Sequence, residues 1–119
     1  MTPTIESIIP VFRIFNVEKA REFYVSFLGF QEDFAYEDSP AYMQVSLGDF
    51  RLHLSEHHGD GCPGGLVRVR VAGLQPYHQE LLAKEYDFLR PNIGEAYGDI
   101  EMSIRDPFGN TIKFLQESR

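Results

Sequence analysis

Four short segments alternate apolar and polar residues so that ionisable side chains would gather on one surface. In Phe50 to Ser55 (FRLHLS), Phe50, Leu52 and Leu54 alternate with Arg51, His53 and Ser55. A period of two puts the first set on one face of a strand and the second set on the other. The same period groups Arg68 and Arg70 with Leu66, and sets Glu101, Ser103 and Arg105 opposite Ile100, Met102 and Ile104. Lys113 lies between Ile112 and Phe114, which read as core. Guanidinium and ammonium groups gathered this way favour a ligand carrying carboxylate, sulfate or phosphate. His53 or Glu101 has the chemistry of a general base. Phe34 and Tyr42, if they reach the rim, could stack on a planar ligand. The plainer alternative is a solvated sheet face on which Arg68 and Arg70 pair with acidic neighbours, each pair contributing little.

Other reactive residues carry weaker signals. His57-His58, with Glu56, Asp60 and Cys62 nearby, suggests a metal site, but adjacent histidines on an extended chain point in different directions. Their spacing fits no zinc pattern, and a hydrophilic connecting loop is the preferred reading. His78 is expected on the solvent side of a helix. Cys62 has no base near it in sequence and reads as an incidental thiol. There is no nucleophile elbow, phosphate-binding loop or dinucleotide fingerprint.

The elements that must position these residues follow from periodicity. Ser7 to Ile14 reads as a strand in which Pro10 removes a donor and so demands an edge or a bulge. Asn16 can cap a helix from Val17 to Leu28, whose apolar residues recur at helical spacing and which stops at Gly29. Strands are expected over Phe30 to Tyr36, Tyr42 to Leu47 and Phe50 to Ser55. The glycine-rich Glu56 to Gly65 breaks the pattern. The order then restarts: a strand over Leu66 to Val71, a helix with Pro76 in its first turn running to about Lys84, an irregular strand or loop around Arg90-Pro91, and strands over Ile100 to Arg105 and Thr111 to Gln116. Asn16 and Gly73 occupy equivalent places. The order argues for an α+β fold of paired βαβββ modules, about 5–56 and 65–117, in one domain, with helices outside an open, cupped mixed sheet.

The whole chain sets bounds. Its 119 residues suit one domain, and its net charge of −7 repels phosphate backbones, which argues against a nucleic-acid partner. No apolar run approaches the roughly 20 residues of a membrane span. MTPTIESIIP has no basic n-region, so a secretory signal is not expected. With a single cysteine and no signal, a cytoplasmic location is expected.

FNVEKAREFYVSFLGF resembles the first helix of glyoxalase and bleomycin-resistance proteins, and RDPFGNTIKF resembles the last hairpin of that vicinal-oxygen-chelate superfamily. The resemblance covers nearly the whole chain. It implies two βαβββ modules around a cup, and a homodimer whose pockets are completed by the partner chain. It also implies metal-ligand positions on Ile9 and Lys113 and on or near His53 and Leu66. Only His53 has a donor atom suited to a metal, whereas a catalytic site needs about three ligands. The implied function is therefore a cofactor-free, non-catalytic small-molecule binding protein that captures a metabolite or antibiotic. Its expected ligand-binding residues are Arg51, His53, Arg68, Arg70, Glu101, Ser103, Lys113, Phe34 and Tyr42. The alternatives are a metal-dependent lyase or dioxygenase, and a metal-free isomerase or hydrolase.

Overall fold

A computed structural model describes residues 1–118. Strand β1 (Val11–Arg13) leads into α1 (Val17–Ala20), capped by the Asn16 side chain, which accepts from Lys19 N at 2.8 Å. The helix continues over Arg21–Phe27 with π-type winding, Leu28 N donating to Phe23 O. Strands β2 (Gln31–Tyr36), β3 (Tyr42–Leu47) and β4 (Phe50–Ser55) complete the first module. The second module holds β5 (Leu66–Arg70), α2 (Leu74–Ala83), β6 (Ile93–Ala96), β7 (Asp99–Arg105) and β8 (Thr111–Glu117).

Each module is a four-stranded mixed sheet, in the orders β1-β4-β3-β2 and β5-β8-β7-β6. The first strand of each pairs parallel with the last, and the remaining pairs are antiparallel. The α+β fold with two open βαβββ modules is therefore present as the order of elements indicates. Phe12, Phe23, Tyr24, Leu28, Leu52 and Leu54 form one apolar cluster with Leu74, Leu81, Met102 and Phe114. Both helices and both sheets thus share a core.

Two elements and one side chain differ from the sequence reading. β1 is only three residues long, because Pro10 has no N–H to place in the ladder; its carbonyl instead accepts from His53 N. A full strand, β6, forms just after Pro91, and the Tyr97-Gly98 turn that joins it to β7 has positive φ at both residues. His78 is buried rather than solvent-facing, with Nε2 bonded to Pro91 O at 2.8 Å.

The two sequence motifs meet at the seam between modules. Asp106 Oδ2 accepts from Tyr24 Oη at 2.6 Å and from Asn110 Nδ2 at 3.0 Å, while its Oδ1 accepts from the Phe108 and Asn110 backbone N–H groups. Asn110 Nδ2 also donates to Arg13 O, and its Oδ1 accepts from Gly65 N. Burial, reinforced by the Asp106 charge, holds the Tyr24 hydroxyl well above its usual pKa, so Tyr24 stays a donor.

Candidate functional site

Cross-strand register decides which side chains share the face opposite the helices, because directly paired residues point the same way. In the first module Val11 pairs with His53 and Arg13 with Ser55; His53 pairs with Gln44, Arg51 with Ser46, and Ser55 with Tyr42. On β2, Phe34 pairs with Gln44 and Tyr36 with Tyr42. The ladder shifts between Glu32 and Phe34, leaving Asp33 as an extra residue. The bulge sends Glu32 toward the helix, where it pairs with Arg21, and turns Asp33 toward Gln44 and Ser46. This face therefore carries Arg51 and His53, as the alternation predicts, together with Tyr42 and with Phe34, which the bulge turns onto it. It also carries Asp33, Gln44, Ser46 and Tyr36, which sequence reasoning missed. Gln44 and Ser46 were readable from their period-two spacing from Tyr42; the bulge has no comparable signal.

These side chains form a directed hydrogen-bond relay. His53 Nδ1 lies 2.5 Å from Tyr42 Oη, and His53 Nε2 lies 2.9 Å from Gln44 Oε1. Gln44 Nε2 donates to Asp33 Oδ2 at 3.0 Å, and Ser46 Oγ donates to Asp33 Oδ1 at 3.1 Å. Because Gln44 uses its amide nitrogen on Asp33, its oxygen must accept from His53. His53 is then the Nε2–H tautomer, and Nδ1 accepts from Tyr42. Burial lowers the His53 pKa and raises that of Tyr42, and the nearby Asp60 raises the latter further. Both shifts keep the imidazole neutral and the phenol protonated. Phe34 and Tyr42 stand edge-on to the His53 ring, with centroids 5.9 and 5.1 Å away, and His57 lies 6.3 Å from Tyr42.

Ser55 differs from its expected role as a wall residue. It is fully buried, because the Glu56–Gly65 loop folds back and Asp60 Oδ2 accepts from Ser55 Oγ at 2.8 Å. No group of three or more His, Cys, Asp and Glu side chains among the described residues is arranged to hold a metal, in this loop or elsewhere.

The corresponding face of the second module carries Leu66, Arg68, Arg70, Lys113, Glu101, Ser103 and Arg105, as the alternation predicts. Arg68, Arg70 and Lys113 each stand near a carboxylate. Glu101 reaches Lys113 at 3.6 Å and Arg68 at 3.9 Å, and Arg70 lies 3.4 Å from Asp99 and 3.9 Å from Glu117. Asp99 and Glu117 were not singled out because they sit at strand ends. A separate apolar recess of about 430 Å³ lies between the Leu47–Phe50 turn and the Val69–Gly73 segment, walled by Tyr77 and Phe114. Val69 pairs with Phe114, on the core side of the sheet, so the recess is a gap at the edge of the shared core rather than part of the polar faces.

The model of the glyoxalase superfamily matches residues 3–119. The chain belongs to the glyoxalase superfamily. Among solved structures, a bleomycin-binding protein from Streptomyces verticillus, crystallised with copper(II)-bleomycin, is 28% identical; the match covers 95% of this chain and 97% of that one, with a TM-score of 0.74. A glyoxalase family protein from Bacillus anthracis is 20% identical over 99% and 100% of the two chains, with a TM-score of 0.74. The bleomycin resistance determinant encoded on transposon Tn5 is 20% identical over 97% and 100%, with a TM-score of 0.72. No curated protein sequence matches.

Superfamily membership raises the question of a metal at the four expected ligand positions. The residues present do not fit one. Ile9 and Leu66 have no donor, Lys113 brings a cation, and both ring nitrogens of His53 are engaged.

Proposed function

We propose that this glyoxalase-superfamily protein is a non-catalytic binding protein that captures a polar, partly planar small molecule on its cupped faces, in the manner of an antibiotic-sequestering protein. The relay-fixed wall of Phe34, Tyr42 and His53 carries this reading, since it holds aromatic edges and polar atoms in set positions before any ligand arrives. Arg51 stands beside them, and Arg68, Arg70, Glu101, Ser103 and Lys113 supply the charged wall. The relative crystallised with copper(II)-bleomycin supports a ligand of antibiotic size.

We further propose that two copies build the complete site. The chain has a radius of gyration of 14.9 Å, against about 13.5 Å for a compact chain of this length. Its surface is 7457 Å², roughly 800–900 Å² more than a self-contained protein of this mass exposes.

Native mass spectrometry of the purified protein tests both statements. The expected spectrum shows a dimer that keeps a small molecule and no stoichiometric zinc, nickel, manganese or iron. About one metal per chain, lost in His53→Ala, overturns the non-catalytic reading.

A further inference from the structure

The relay on the first-module face directs inward the hydrogens of Tyr42, His53 and Ser46 and one of the two on the Gln44 amide. The Tyr42 hydroxyl proton goes to His53 Nδ1, the His53 Nε2 proton goes to Gln44 Oε1, and an amide hydrogen of Gln44 and the hydroxyl hydrogen of Ser46 go to the two oxygens of Asp33. A phenol has one hydrogen but further acceptor capacity, and a carboxylate has about four acceptor sites, of which two are used here. Tyr42 and Asp33 therefore have only lone pairs left to offer outward. Around them stand the rings of Phe34 and Tyr36, with centroids 5.6 Å apart; Phe34 is 38% exposed and Tyr36 70%. The two rings are tilted by 52° to each other, with the Tyr42 and Asp33 acceptors beside them and the Arg51 guanidinium on the same face.

We propose that this face selects a planar ligand whose edge carries N–H donors, with Tyr42 Oη and the Asp33 carboxylate as the acceptors and His53 as the residue that fixes Tyr42 in its accepting orientation. The inference rests on the cup being the binding surface and adds the chemistry of what it takes. A planar ligand edged with carbonyl or ether oxygens would place lone pair against lone pair, leaving both partners desolvated and unpaired. The selectivity lies in hydrogen-bond direction rather than in net charge. Arg51 shares the face opposite Ser46, so the surroundings of Asp33 are not simply anionic.

Three probes of similar shape separate these effects: indole, with a ring N–H; benzofuran, of the same size with an oxygen in its place; and 1-methylindole, one methyl group larger, with that hydrogen replaced. All are neutral and planar. Titrations followed by the NMR signals of Phe34, Tyr36 and Tyr42 should show indole binding about tenfold more tightly than either analogue, a difference of about 1.4 kcal/mol. Tyr42→Phe should narrow the differences among the three affinities, Asp33 remaining as an acceptor, while leaving ring binding in place. His53→Leu, which frees the Tyr42 hydroxyl to donate, should improve benzofuran relative to indole. Because each comparison is a ratio within one protein, partial destabilisation of a variant cannot imitate it. Equal affinity for the three probes in the unaltered protein, binding of none of them at this face, or an unchanged ratio in Tyr42→Phe would overturn the proposal. A ligand retained in native mass spectra would still support the binding function, so the two readings fail separately.

Discussion

Because Tyr42 and Gln44 engage both nitrogens of His53, protonating the ring must both charge a partly desolvated group and reverse the Tyr42 bond. Desolvation lowers the ring's pKa from 6.5. In the unfolded chain the imidazole titrates near its ordinary value, so below about pH 6.5 the unfolded state binds more protons than the native state. His53 should therefore lower stability as pH falls from about 6.5 toward its depressed native pKa, and should have no such effect above that window. Urea unfolding at pH 7.5 and pH 5.5 checks this: His53→Gln should lose stability less steeply over that interval than the unaltered protein. Ring-nitrogen NMR should report the Nε2–H tautomer at neutral pH, and finding the other tautomer would remove the relay direction. Arg51, His53, Arg68, Glu101 and Lys113 were legible on their faces because strand alternation is a strictly local signal. Ser55 and His78 were not, because what buries them comes from a returning loop and from Pro91, thirteen residues further on.

Among the elements, the hairpin after β7 and the helix after β1 depend on one carboxylate. Asp106 accepts four hydrogen bonds and is buried. Tyr24→Phe removes one donor from a buried charge, so it should cost about 2 kcal/mol of stability. Asp106→Ala should cost more, since it strands Tyr24 and Asn110 together. Denaturant melts of the two variants would show this order, and a neutral Tyr24→Phe would mean that the bond adds nothing net. The FY pair and the DPFGN turn were visible in sequence as separate signatures, but their contact spans 82 residues and no local pattern announces it. β2 fails in the opposite way. Its existence was readable, yet the bulge that puts both Asp33 and Phe34 on the relay face depends on the register of its neighbour. Deleting Asp33 should restore a regular ladder and remove the acceptor shared by Gln44 and Ser46. Loss of the indole preference over benzofuran would then be expected.

For the whole molecule, the open form and excess surface lead to an expected sedimentation result. At micromolar concentration the protein should sediment as a dimer of 13.7 kDa chains, and only a 13.7 kDa species would remove the two-copy site. Exposed Ile5, Ile8 and Phe15 near the N-terminus give such an association apolar contacts. Fold class was legible in the order of elements because each module repeats it. Shape was not, because the angle between two sheets leaves no trace in periodicity. The Asp106 knot also bears on how the chain could be taken apart. The Glu56–Gly65 loop is the natural place to cut, yet Tyr24 and the Arg13 carbonyl lie on one side of it and Asp106 and Asn110 on the other. Two fragments severed there would each carry half of a lock as well as half of a core, which suits them to reassemble when brought together in a cell. Fused to two other proteins, they would serve as halves of a split reporter whose signal is the recovery of ligand capture.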